Sequence, residues 1–146
     1  MSNLYRLIYC SRSALTGSPP ELEAEVRRIL ASARQNNRAA GVTGAMAFND
    51  DWFAQVLEGG KSEVLQIFGK ISRDPRHRAL RILQQTTPAT RLFPTWSMAY
   101  AETLDHQGRH PLAHFQFEPA LNSDSLPEAQ KLLDVLRRTV TELANL

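Results

Sequence analysis

The chain has 146 residues, 42% of them hydrophobic and 22% charged, with a formal net charge of +2. A fold of that length buries roughly 70% of its unfolded surface, so it needs neither a disulfide nor a structural metal. Cys10 is the only cysteine, which excludes an intrachain disulfide and a cysteine-rich zinc site.

Fourteen of the 17 basic residues are arginines, but they are spread along the chain among acids, which reads as solvated surface rather than a nucleic-acid patch. His110 and His114 stand four apart, yet Pro111 lies between them and the metal-binding H-E-x-x-H pattern is absent. No stretch of 18 apolar residues and no signal peptide is present, so the expectation is a cytoplasmic protein without membrane contact.

Leu4 to Cys10 reads as a first strand. Tyr5, Leu7 and Tyr9 share one face, and Arg6, Ile8 and Cys10 the other. Apolar residues on both faces predict a central strand covered on both sides. Ser18-Pro19-Pro20-Glu21 is a capping box, and Leu22, Val26, Ile29, Leu30 and Ala33 follow at helical spacing. This helix is expected to end near Asn36 and Asn37, before Gly41.

Val42–Phe48 and Trp52–Glu58 flank Asn49-Asp50-Asp51 as a β-hairpin, with Phe53, Gln55 and Leu57 on one face. A second helix, capped by Ser62, carries Val64, Ile67, Phe68 and Ile71 as its apolar stripe and stops before Pro75. A strand begins at Leu80–Leu83, and a last one runs from about Trp96 to Tyr100. The order β-α-β-β-α-β-β predicts an α+β, ferredoxin-like mixed sheet of five strands with two helices on one face. Ser125-Leu126-Pro127-Glu128 opens a C-terminal amphipathic helix, expected to pack on the other face or against a partner. The division is therefore a domain at 1–102 and a helical extension at 103–146.

Chemistry-bearing motifs are few. There is no phosphate loop, no G-x-G-x-x-G and no G-x-S-x-G, and Asp50 and Asp51 are adjacent turn residues that point apart. Nothing assembles a hydrolase or transferase site, and the chain reads as a non-enzyme. What remains is Tyr9 on the first strand and Gln55 on the third, neighbours in a ferredoxin-like sheet. Buried, each needs a partner, and the amide offers both a donor and an acceptor end. From spacing alone they either satisfy each other or serve a ligand.

Six segments, in order, carry a resemblance: R-L-I-Y-C-S at Arg6–Ser11, A-R-Q-N-N at Ala33–Asn37, G-V-T-G at Gly41–Gly44, F-A-Q-V-L-E-G at Phe53–Gly59, D-P-R-H at Asp74–His77 and R-L-F-P-T-W-S-M at Arg91–Met98. Together they resemble the BLUF family of flavin-binding blue-light sensors, over about Leu4 to Tyr100. The rest is similar to the helical extension of short, stand-alone members, with no fused output enzyme recognised.

The resemblance implies noncovalent FAD between the two helices. Ile29 and Ile71 would wall the ring, Asn36 and Asn37 would bond its polar edge, and Lys70, where many members carry Arg, would reach a ring carbonyl. Asp74 and His77 would lie toward the ribityl and phosphate end. Tyr9 would donate an electron coupled to its proton, and Gln55 would switch its hydrogen bonds. Trp96, Ser97 and Met98 would sit beside the amide, with Trp96 and Met98 relaying the change to an output protein partner or a second copy. Ala45, Ala54, Phe48 and Gly60 depart from the usual residues, all away from the photochemical pair. The rival readings are a small flavin oxidoreductase and a ferredoxin-like nucleic-acid module using Arg73, Arg76, Arg78 and Arg81; the latter needs aromatics displayed on the sheet.

Overall fold

The computed structural model describes residues 4–48, 52–94, 99 and 100. The elements are β1 (Leu4–Ser13), α1 (Pro19–Ala40), β2 (Thr43–Phe48), β3 (Trp52–Gly60), α2 (Lys61–Ser72), β4 (His77–Thr86) and β5 (Ala99–Tyr100). Four strands form an antiparallel sheet in the order β4-β1-β3-β2, and β5 runs parallel to β2 through Ala45–Ala99 and Met46–Tyr100. The turn at 49–51, Trp96, Ser97 and Met98, and the extension at 103–146 with its expected helix lie outside the described residues.

β1 is central, and both its faces are buried. Tyr5, Leu7 and Tyr9 join Phe53 and Leu57 of β3 under Val26, Ile29 and Leu30 of α1 and Val64 and Ile67 of α2. That one core holds both helices against one face of the sheet. On the other face Ile8, Cys10, Ala45, Ala54 and Val56 are fully buried too.

The local signals explain most element ends. The Ser18–Glu21 capping box forms, with the Ser18 side chain accepting from the Glu21 N–H and the Glu21 carboxylate from the Ser18 N–H. α1 runs past Asn36 and Asn37 for one more turn and ends at Gly41, whose φ of 69° is the left-handed conformation glycine adopts without strain. Asn37 accepts the Val42 N–H on its carbonyl at 2.8 Å, tying the helix end to β2.

Two boundaries differ from expectation. α2 starts at Lys61 with Gly60 as its cap, not at Ser62, because β3 continues straight to Gly60 and Glu63 folds back over the first turn. A side chain at 60 would meet the Glu63 carboxylate. β4 starts at His77, three residues before Leu80. A bulge there shifts the pairing from Arg12–Arg78 to Cys10–Arg81, with Ala79 at a φ of 50°, a strained value that no hydrophobic pattern announces.

Candidate functional site

The site is built on the face of β1 and β3 that the helices cover. Strand pairing sets Tyr9 directly opposite Gln55, and the Tyr9 hydroxyl donates a hydrogen bond to Gln55 Oε1. Both are almost wholly buried, at 1% and 3% exposure. Burial, and secondarily the negative charge of Asp74, raises the Tyr9 pKa far above the ordinary phenol value, so the hydroxyl keeps its proton at any physiological pH. The Phe68 ring of α2 stands edge-on to Tyr9 at 5.6 Å, and the His77 ring at 6.3 Å.

Above this pair, α1 and α2 leave a cleft of about 110 Å³. Ile29 and Ala33 line it from α1, and Ile67 and Ile71 from α2. Asn36 and Asn37, from the last turns of α1, and Ser32 bring polar groups to the α1 side, while Lys70 brings a cation from α2. Gln55 forms part of the floor. Asp74, Arg76 and His77 close the end where α2 turns into β4.

That end is electrostatically organised. Arg76 Nη2 meets Asp74 Oδ2 at 2.6 Å, and Arg76 Nη1 meets Glu25 Oε1 of α1 at 3.0 Å. One guanidinium thereby bridges the α2–β4 turn and α1 across the cleft. Its hydrogen bond holds the Asp74 carboxyl below its ordinary pKa. His77 Nδ1 shares a hydrogen bond of 2.9 Å with the buried Ser11 hydroxyl, and its ring packs on Phe53 at 4.5 Å. Burial, opposed in part by the Asp74 charge, lowers the His77 pKa and favours the neutral ring.

Ile29, Asn36, Asn37, Gln55, Lys70, Ile71, Asp74 and His77, singled out in the sequence, thus surround one cleft, with Tyr9 bonded to its floor. Trp96, Ser97 and Met98 lie outside the described residues. Three features were not anticipated. Arg76 enters the sequence reading only as a surface arginine of the nucleic-acid alternative, and it is the bridge at the end of the cleft. Met46, buried at 1%, pairs with Gln55 from β2 and stands between it and Tyr100 of β5; its alternation within β2 could have shown this. Glu58 is fully buried on the opposite face, and no local signal marks it.

An α+β domain with a narrow cleft, lined by apolar and amide side chains, over a buried tyrosine–glutamine pair has the layout of a small-molecule-binding fold. Comparison narrows the class. Residues 4–99 match the family BLUF, sensors of blue-light using FAD, and the chain belongs to that family. It is 33% identical over 111 residues to the photoactivated adenylate cyclase subunit beta of Euglena longa, covering 75% of this chain but only 12% of that protein. The equivalent subunit of Euglena gracilis matches to the same extent.

Among solved structures, the BLUF protein BlrB in its dark state superposes with a TM-score of 0.70 at 29% identity, over 100% of this chain and 99% of that one. BlsA in its photo-activated state gives 0.73 at 27% identity, covering 94% of each chain. BlrP1 of Klebsiella pneumoniae gives 0.62 at 28%, covering 92% of this chain and 33% of that one. Among the described residues no helix is long and apolar enough to cross a membrane, and no cluster of His, Cys, Asp or Glu could hold a metal.

Proposed function

We propose that this chain binds FAD noncovalently in the cleft between α1 and α2 and senses blue light through Tyr9 and Gln55. The observation that carries the reading is the buried hydrogen bond from Tyr9 to Gln55 at the floor of that cleft. The residues suit a flavin. Ile29 and Ile71 give apolar walls for a flat ring, Asn36, Asn37 and Gln55 give amides for its polar edge, and Lys70 and Arg76 give cations for ring carbonyl and phosphate oxygens. The cleft is smaller than the roughly 300–1,000 Å³ of small-molecule sites, so seating the ring requires side chains that line it to move apart.

Bound flavin supplies absorption of blue light and, once excited, an acceptor for one electron. Tyr9 is the donor. Its hydroxyl, held neutral by burial, would pass its proton to Gln55 Oε1 along the existing bond as the electron leaves, and Gln55 would give up one of its amide protons to the group that took the electron, so that no net charge stays on the buried pair. Gln55 then exchanges which end of its carboxamide faces Tyr9. Return of the electron and proton restores Tyr9, so nothing is consumed and no substrate is turned over. Each exchanged hydrogen bond is worth about 0.5–1.5 kcal/mol net, and two or three suffice to promote a minor conformer. The change leaves through the last strand, with Met98 and Trp96 as relays, and through residues 103–146 to an output protein.

The oxidoreductase alternative needs a second set of polar groups for a substrate, and among the described residues the amides and cations of the cleft are those already assigned to the flavin. The nucleic-acid alternative fails on burial: Tyr5, Tyr9 and Phe53 of the central strands are at 6%, 1% and 0% exposure, so no aromatic platform faces solvent there. The deciding experiment is the absorption spectrum of the protein reconstituted with FAD, in the dark and after blue light. A small, reversible red shift is expected; a yellow protein without any shift would refute the sensor reading.

A further inference from the structure

Glu58 is a buried carboxylate with no part in the photochemistry above. It follows Gln55 by three positions on β3, and the two-residue period of a strand turns it to the opposite face. Its side chain is fully buried. Arg6 Nε of β1 donates to its Oε2 at 2.8 Å. The Leu92 N–H lies 2.9 Å and 3.0 Å from its two oxygens, and the Phe93 N–H donates to Oε1 at 2.8 Å.

The same segment is held from its other side. Arg6 Nη2 donates to the Thr90 carbonyl at 3.3 Å. Arg91 donates to Thr43 Oγ1 at 3.0 Å, to the Glu58 carbonyl at 3.4 Å and to the Gly41 carbonyl at 3.1 Å. Residues 90–93 are therefore tied to β1 and β3 through one carboxylate, and to the end of α1 and the start of β2 through one guanidinium. Those elements carry Tyr9, Gln55, Asn36 and Asn37. Three residues beyond Phe93 the chain reaches Trp96.

A buried ion pair is a poor device for stability alone, because apolar residues of similar volume would hold the segment as well or better. Its particular property is discreteness. Charge-assisted hydrogen bonds are strong when aligned and weaken steeply with angle and distance, so such a cluster is either made or broken.

We propose that Glu58, Arg6 and Arg91 form a latch that couples the hydrogen-bond state of Gln55 to the segment leading into β5. The proposal rests on the blue-light reading above. A change at Gln55 moves β3 and α1 relative to each other, the latch loses alignment, and residues 90–93 are released. Glu58 and Arg91 are positioning residues that act on the chain, not on the cofactor.

The test is hydrogen exchange of the full FAD-loaded chain in the dark and under continuous blue light, together with Arg91→Gln. Faster exchange of the Leu92–Phe93 amides in the light is expected. Arg91→Gln is expected to keep the dark spectrum and the red shift but to change the dark-recovery rate about tenfold, equivalent to about 1.4 kcal/mol in barrier. If that variant does not fold, Arg91→Lys, which keeps the charge but loses the fork, gives the same readout. A complete red shift with identical exchange at Leu92 and Phe93 in dark and light overturns the latch and leaves the sensor reading standing. So does wild-type recovery in the variant. A flavin-loaded chain with no red shift overturns the sensor reading itself, and the latch falls with it.

Discussion

β3 carries one buried polar side chain to each face of the sheet, and the two are satisfied in opposite ways. Gln55 is neutral, and its partner across the sheet is a tyrosine hydroxyl that can itself give or take a hydrogen bond. Turning the carboxamide over exchanges donor for acceptor at almost constant shape. Glu58 has no such choice: an ionised carboxylate only accepts, and one guanidinium and two backbone N–H groups converge on it. On the proposed reading the first arrangement can be remade with the carboxamide turned over, as a switch requires; the second offers a single arrangement, as an anchor requires. Placing both on one strand, three residues apart, joins what can change to what must be pulled.

The largest effect is expected on the anchor side. Glu58→Ala strands the Arg6 charge and the Leu92 and Phe93 amides in a buried site, and breaking such a pair costs about 3–5 kcal/mol. For a chain of this size that lowers Tm by roughly 10 °C, at about 2–4 °C per kcal/mol. Denaturant unfolding of the variant measures it. A loss no greater than a surface substitution gives would remove the contrast between the faces.

On the switch side the expected cost is smaller and the functional effect total. Gln55→Leu leaves the Tyr9 hydroxyl without its acceptor, and Tyr9→Phe removes the donor to Gln55 Oε1. Each destabilises by about 1–3 kcal/mol. Both variants are expected to retain flavin, since the cleft walls are untouched, and to show no light-induced red shift. A normal photocycle in either one would break the assignment of the switch.

The difference between the faces also explains what the sequence could reveal. The capping box at Ser18–Glu21, the alternation of β1 and the hairpin around residues 49–51 are local signals, and with them the order of elements and the Tyr9–Gln55 neighbourhood were legible. Asn36 and Asn37, which the sequence singles out, do line the cleft, but they were not legible as the interior of α1, because the helix end is set by the left-handed Gly41. The start of β4 at His77 depends on a bulge against β1, and the start of α2 on Glu63 folding over Gly60. Both are pairwise facts with no periodic trace. Glu58 is the extreme case: besides Arg6, its partners are backbone N–H groups 34 and 35 residues away, and backbone groups leave no mark in a sequence.

Acid should unfold the cleft end in two stages. The folded-state pKa of His77 is lowered from its ordinary 6.5, so its contribution is present above that value and is lost as pH falls below it, when the unfolded chain binds the proton more readily. The carboxyl of Asp74 is likewise held below its ordinary 3.8, so its contribution is present above 3.8 and is lost only at still lower pH. The urea midpoint should begin to fall once the pH drops below 6.5. His77→Gln should remove that first stage and leave the second. A midpoint flat from neutrality down to the carboxylate range would place the His77 ring in solvent rather than against Phe53 and Ser11.

The smallest effect on stability is expected at Arg76, and it sharpens the comparison by separating the mouth of the cleft from its floor. The side chains of Arg76, Glu25 and Asp74 retain 31%, 29% and 21% of their exposure, so the bridge is screened by water and adds little to stability. Arg76→Gln should therefore leave Tm almost where it is. Yet the bridge links α1 to the α2–β4 turn at the open end, so flavin should leave the variant faster. Raising the salt from 0.1 M to 1 M shortens the screening length from about 10 Å to about 3 Å, which should speed release from the wild type and leave the variant nearly unchanged. The red shift should persist in both, because Tyr9 and Gln55 lie beneath the bridge and are bonded to each other. Release rates insensitive to both salt and substitution would show that the apolar walls at Ile29 and Ile71 hold the ring by themselves.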